Sequence, residues 1–475
     1  MHKIPSDDER SESGPLWIWL AVGLLLSLVI VLLMRPWGGH SSQKAPAPGS
    51  GVTGVPNAAA TSSGVTRAGA SRHRGLSEAQ ATAEEIIARK LAEFSQRRLA
   101  LVHAIAKHFN VEVPGDVERF FAAVEAGRWE EIDAAHDALL MPGQGLNQPR
   151  SAELHKIWRA IQETWGIARE AHNWPAQALL DYGQAALGSL RPGMVYVGGT
   201  DPGCFIPTFL NETADGEHHI TLTQNALADG TYLDYLNFLY AGQMNTLTQD
   251  ESQRAFQDYV ADAQQRLEHD LKFPNEPKQL LPGEDVRSED GRTQVSGQVA
   301  VMAINERLLQ TLMEKNPELS FAMEESFAFK SAYSNAAPLG PLLELGVKDP
   351  QNAWIADRAA QSVDYWRNVA QQLLSDPRIP DGSDPRKAYS KMVSAQASLL
   401  LDHNYPAEAE QAFRVANQIY PASPEVVFRY VQLLMDQNRP SDAVPIIENA
   451  IRAAPDQQQF KDLLNRIRSA KDLRR

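Results

Sequence analysis

The sequence carries one cysteine, Cys204, in 475 residues. That excludes an intrachain disulfide and any cluster of thiolate metal ligands. Positive charge is also short: 45 Lys and Arg stand against 59 Asp and Glu, a net charge of −14. Nucleic-acid binding needs a clustered basic face to meet phosphates, so this class of partner is excluded. No Ser-His-Asp grouping is evident, and no set of residues assigns a catalytic centre, a metal or a cofactor.

Long apolar runs are equally scarce, and the one from Leu16 to Met34 stands out. Its 19 uncharged residues would span about 28 Å as a helix, close to the hydrocarbon thickness. Trp17, Trp19 and Trp37 sit where interfacial aromatics prefer to lie. The run is longer than a signal-peptide core, and Arg35-Pro36-Trp37 follows instead of a small-residue cleavage site. It reads as an uncleaved anchor. Lys3 and Arg10 before it balance Arg35 and Lys44 after it, but a short leading tail usually stays inside. The expected setting is the inner (cytoplasmic) membrane, single-pass, with the body on the periplasmic or outer side.

The remaining chain divides by composition. A tail (1–15) and the anchor (16–34) are followed by a Gly-, Ser-, Ala- and Pro-rich linker (35–75), which lacks the apolar surface to offset its ordering entropy. Residues 76–190 form a helical domain: Ile86, Leu91, Phe94, Leu99, Val102, Ile105 and Phe109 recur at helical spacing. Val117–Gly127 and Trp129–Leu140 read as a hairpin with Gly127 as its cap, and helices are expected at Ser151–His172 and Pro175–Leu190. Trp158, Trp165 and Trp174 read as core anchors between helices rather than a ligand platform.

Residues 191–346 read as an α/β domain. Strands are expected at Met194–Val197, His219–Thr223, Leu319–Ser326 and Pro341–Gly346. Helices are expected at Thr231–Tyr240, with Thr231 as N-cap, at Asp250–Leu271 and at Gly297–Asn316, and Phe273–Arg292 reads as a loop. The order suits a small, doubly wound, mainly parallel sheet. A connecting helix region (347–386) leads to the C-terminal part (387–475). There Ala397, Ala409, Ala416 and Pro421 are reproduced 34 residues later by Val431, Ala443, Ala450 and Pro455. A 34-residue period of paired helices with small contact residues resembles the tetratricopeptide repeat, with Gln457–Ala470 as its capping helix. The fold class is thus multidomain α and α/β: one transmembrane helix, a helical region, a small sheet and helical repeats.

In parallel α/β sheets ligands sit at the carboxyl ends of the strands, where two polar turns fall. The first, GGTDPG, holds Gly198, Gly199, Thr200 and Asp201. It fits neither nucleotide-loop pattern, so a phosphate would rest on backbone amides alone, with Asp201 opposing it. Alternatively Asp201 meets a sugar hydroxyl or a cation, or the segment is a tight turn with Asp201 capping a helix. The second turn holds Gln224, Asn225, Asp229 and Tyr232; its amides suit hydroxyl or base recognition, or they stabilise the turn. Glu324 and Glu325 end a strand, and alternation lets only one face a shared site. Cys204 as nucleophile lacks a base nearby, since His218 and His219 fall at a strand start, and adjacent strand histidines make a poor metal pair.

GGTDPGCFIPTF, LTQNALADGTYLDYL, ESQRAFQDYVADA and GQVAVMAIN followed by a strand ending in EES together resemble a bacterial membrane-protein family of unassigned activity. That family is similar to protein-mannosyltransferase-like glycosyltransferases that use polyprenyl-phosphate sugars, and the resemblance covers roughly Leu99 to the C-terminus. It implies an envelope setting, a soluble α/β module and a link to glycan or lipid-linked sugar metabolism. This chain has one apolar span where that family has many, and Cys204 stands where a basic residue is expected. FKSAYSNAAPLGP also lacks the aromatic run associated with the family. The expected function is therefore a membrane-anchored accessory or scaffold protein. It would bind a sugar or nucleotide-like ligand, or a partner, at the sheet edge, and a protein through its repeats. The alternative is an enzyme of glycosyl or phosphoryl transfer or hydrolysis at that edge.

Overall fold

The computed structural model of the protein describes residues 81–142, 148–281, 283–289, 292–324, 334–347, 354 and 356–472. The expected tail, anchor Leu16–Met34 and linker lie outside these residues, as does Glu325. Among the described residues no helix is long and apolar enough to cross a membrane.

Among the described residues five helices come first. α1 (Ala83–Phe109) starts at a capping box in which Thr82 and Glu85 satisfy each other's backbone amides. α2 (Gly115–Glu125) and α3 (Trp129–Asp137) form the expected hairpin, turned by Gly127 at φ +66°. α4 (Ala152–Asn173), capped by Ser151, and α5 (Ala176–Leu187) follow. Trp158, Trp165 and Trp174 are buried among them as core. The His136 ring stacks on Trp158 and Trp165, at 5.4 and 4.7 Å between centroids. It is fully buried and neither ring nitrogen has a hydrogen-bond partner. Burial therefore holds its pKa down, from 6.5 to about 3.

The sheet follows. β1 (Val195–Gly198), α6 (Asp201–Glu212), β2 (Thr221–Thr223), α7 (Gly230–Tyr240) and α8 (Gln249–Lys272) lead to a hairpin of β3 (Asp285–Glu289) and β4 (Arg292–Ser296). α9 (Gln298–Lys315), β5 (Phe321–Met323), β6 (Ala337–Leu339) and β7 (Leu342–Leu345) complete it. The five-stranded order is β2-β1-β5-β7-β6. β1 runs parallel to β2 and β5, while β7 is antiparallel to both β5 and β6. The sheet is thus mixed rather than mainly parallel. Gly340, at φ +57°, and Pro341 form a two-residue turn that folds β6 onto β7. The hairpin β3–β4 corrects the expected loop at Phe273–Arg292. Asp229, not Thr231, caps α7. Helical layer and sheet are tied by buried Arg98 of α1, which reaches Glu163 of α4, Glu212 of α6 and the Tyr235 hydroxyl of α7.

After the sheet come α10 (Ala356–Ser375) and the pairs α11 (Asp384–Asp402) with α12 (Pro406–Ile419) and α13 (Pro424–Asp436) with α14 (Pro440–Ala453). α15 (Gln458–Asp472) closes the stack. The two pairs repeat each other in detail. Asn404 and Asn438 take positive φ, 65° and 58°, to end the first helix of each pair. Pro406 and Pro440 open the second, where a missing amide costs nothing. Ala409, Ala416, Ala443 and Ala450 are fully buried where the helices touch.

α11 is buried almost all round. Its Tyr389 ring meets Tyr182 of α5 edge-on at 5.3 Å. Its Gln396, fully buried, donates to Gly340 O at 2.7 Å and Leu342 O at 3.0 Å in the β6–β7 hairpin. The same amide accepts from Ser362 Oγ at 2.7 Å and Trp366 Nε1 at 2.9 Å on α10. Both donors and both acceptor positions of this side chain are used. The α/β module therefore covers the open end of the array, and α15 covers the other. Two covered ends explain how only two pairs stand as a solenoid.

Gln396→Leu should lower unfolding free energy by about 3 kcal/mol or more, because it strands several buried polar groups at once. Denaturant melts check this, and a loss below about 1 kcal/mol would contradict the role. A second expectation concerns acid. Between pH 6.5 and 3 the unfolded chain protonates at His136 while the folded chain does not. Stability should therefore fall as pH drops through that window, by up to about 1.4 kcal/mol per pH unit. His136→Phe should remove that part of the slope, measured as the wild-type minus variant difference from pH 7 to 4.

Candidate functional site

β1 joins β2 on one side and β5 lies on the other, so the chain reverses direction across the sheet between β1 and β5. The carboxyl ends of these two strands frame the crevice where such sheets take ligands. Gly198 ends β1 and Glu324 directly follows β5. The Glu324 side chain occupies the turn that follows β1. Its Oε2 accepts from the Gly199 and Thr200 amides, both at 3.1 Å. Its Oε1 accepts from the Thr200 hydroxyl at 3.1 Å and the Tyr182 hydroxyl at 3.4 Å.

Thr200 serves two partners at once. Its hydroxyl oxygen accepts from the Gly203 amide at 3.0 Å, capping α6, while its proton goes to Glu324. Thr200, not Asp201, is therefore the cap. A Cβ at Gly203 would overlap the Glu324 carboxylate, so glycine is required for this close approach. The anion in this loop is a side chain of the protein. Burial raises the Glu324 pKa above the ordinary carboxylate value, and the two amides, the Thr200 hydroxyl and the Lys391 charge offset that rise only in part. Four donors and no acceptor around it suit the ionised form.

The other candidate residues split between this centre and the turns. Asn225 Nδ2 donates to Gly199 O at 2.9 Å, tying the second turn to the first. Gln224 is fully buried and neither atom of its amide is bonded. Asp229 is exposed and accepts from the Thr231 amide at 2.9 Å and hydroxyl at 2.8 Å, as an N-cap does. The buried Tyr232 hydroxyl accepts from the Thr223 amide at 2.6 Å. Asp201 is half exposed and pairs with Arg169 of α4 at 2.7 Å. Arg169 also pairs with Glu170 at 3.0 Å. Burial pushes the Glu170 pKa up to about 7, with Arg169 opposing and Asp201 and Asp384 adding to the rise.

Cys204 is buried, and burial next to Glu324 and Asp201 pushes its thiol well up, so it stays neutral. His218 and His219 lie before β2, at the opposite end of the parallel strands, bonded to the Ala214 and Met194 carbonyls. Among the described residues no group of His, Cys, Asp and Glu is placed to hold a metal. Clefts elsewhere, one lined by Asn237, Met244 and Lys315 and one by Arg367, Leu374 and Arg414, include none of the candidate residues.

Sequence reasoning missed Arg169, Glu170, Tyr182 and Lys391. They come from α4, α5 and α11, remote in sequence from the turns, and no local motif marks them. They show that the first repeat helix and the sheet edge adjoin.

A tetratricopeptide-repeat family model matches residues 400–467. This part of the chain is of a kind that binds proteins. No curated protein and no solved structure matches the chain. Nothing in these comparisons supports the resemblance to glycosyltransferase-like proteins.

Glu324→Gln should destabilise the protein by about 2–4 kcal/mol, because an amide cannot accept from all the donors that converge there. Thermal or urea melts of the variant test this, and an unchanged midpoint would contradict the arrangement.

Proposed function

We propose that this protein is a membrane-tethered accessory or scaffold protein of the cell envelope. Leu16–Met34 anchors it in the cytoplasmic membrane, with the body on the periplasmic side. The repeats hold a protein partner, and the α/β module caps them and presents its sheet edge to a small polar ligand, a sugar or nucleotide-like group, or to a partner. The observation that carries this reading is the Glu324 carboxylate in the turn after β1. A loop already satisfied by its own side chain supports a structural hub rather than a phosphate-transfer centre. The family match of the repeats supports the partner-binding half.

A partner would lie along the exposed face of α13, beside the narrow half-exposed strip of α11 that carries Lys391 and Ser398. Arg429 crosses it to donate to Ser398 Oγ at 2.9 Å, Gln432 is exposed on it, and Lys391 approaches Glu425 at 3.8 Å. In cells, the tagged full chain should sediment with membranes, and deletion of residues 16–34 should release it. Crosslinking should trap a specific protein, and Arg429→Glu with Gln432→Glu should reduce that product about tenfold or more while the fold is kept. Sedimentation unaffected by the deletion would contradict the anchor. A crosslink indifferent to the repeat variants would contradict the docking face.

A further inference from the structure

Most of the buried and half-buried arginines among the described residues meet carboxylates. Arg98 meets Glu163 and Glu212, Arg169 meets Glu170 and Asp201, and Arg266 meets Asp262 and Glu284. Arg159 of α4 is also half-buried, yet it meets no carboxylate among the described residues. Its guanidinium lies over the Tyr232 ring, 4.7 Å from the centroid, and its Nη1 donates to Gln162 Oε1 at 2.8 Å. Its Nε is buried and has no partner. A cation shielded from water on one side is stabilised by an anion or by hydrogen bonds, and stacking on one tyrosine compensates it only in part.

The acids in this part of the fold are committed elsewhere. Glu163, one turn along α4, bonds Arg98 and accepts from the Tyr235 hydroxyl at 2.7 Å. Asp201 is held by Arg169, and Glu324 by the turn after β1. Cys204, close enough to feel the Arg159 charge, is a buried neutral thiol and supplies no anion. Through Tyr232, whose hydroxyl sits on the Thr223 amide, Arg159 lies at the carboxyl end of β2. Gln224, the next residue after Thr223, is fully buried and neither atom of its amide is bonded.

We propose that Arg159 is the recognition group of a small-oxyanion site at the carboxyl end of β2, which takes the phosphate or carboxylate of a small ligand. This deepens, and rests on, the small-ligand half of the proposed function. The guanidinium fork matches such groups in shape as well as charge. The site is separate from the turn after β1, whose donors Glu324 already uses.

The test uses the purified full chain, with inorganic phosphate and acetate each compared with sodium chloride at equal ionic strength. Wild type should gain about 3 °C in midpoint from one of the oxyanions at saturating concentration. Which oxyanion acts tells phosphate from carboxylate ligands. Arg159→Met should lose that increment, and Arg159→Lys should keep part of it. In oxyanion-free buffer R159M should be at least as stable as wild type, since it removes a charge that no carboxylate among the described residues meets. Equal increments in wild type and R159M would overturn the proposal. So would an R159M that melts several degrees lower without oxyanion or fails to fold, because Arg159 would then be structural. Failure here with the repeat-dependent crosslink intact would leave the scaffold reading standing, and the reverse result would leave this site standing without it.

Discussion

α11 has almost no face in water, and that constraint organises the molecule. A first repeat helix normally leaves one side open, and an open apolar side must be covered or it associates with other chains. Here α12 and α13 take two sides, α10 a third, and α5 with the β6–β7 hairpin a fourth. Gln396 specifies the arrangement rather than merely filling it. Its amide matches two carbonyls of the hairpin and two donors of α10. A buried amide is costly unless all its bonds are met, so only one register of repeats on sheet satisfies it.

The same junction fixes the sheet edge. Tyr182 touches Tyr389 with its ring and Glu324 with its hydroxyl. Glu324 in turn gathers the turn after β1, the start of α6 and, through Lys391, the charge of α11. Ligand-binding loops in such sheets usually keep their amides for the ligand. Here those donors converge on the protein's own carboxylate, and Arg159, which meets no carboxylate among the described residues, stands one strand away.

Much of this was legible in the sequence because local chemistry announced it. The 34-residue spacing of small residues with a following proline placed the repeats, and helical periodicity with Gly127 as a cap placed most helices to within three residues. Short β-rich runs before polar turns located β1, β2 and β5. The β3–β4 hairpin was hidden, because its strands are polar and charged and show no alternation. The mixed sheet was hidden as well, since Gly340-Pro341 reads equally as the end of a loop. In the site, Asn225, Thr200 and Glu324 were visible as residues, but their convergence was not. It depends on which strands are neighbours, and spacing along the chain does not encode that. Arg159, on a helix among other charges, stands out only once every nearby acid is seen to be engaged elsewhere.

The central claim is that repeats and α/β module form one structural unit through α11. Native-state hydrogen exchange under increasing denaturant tests it most directly. The amides of α11, β1 and β5 should exchange with the same free energy and the same denaturant dependence, as parts of one cooperative opening. If α11 to α14 kept their protection while β1 and β5 exchanged at lower free energy, the array would stand alone and the account would be wrong.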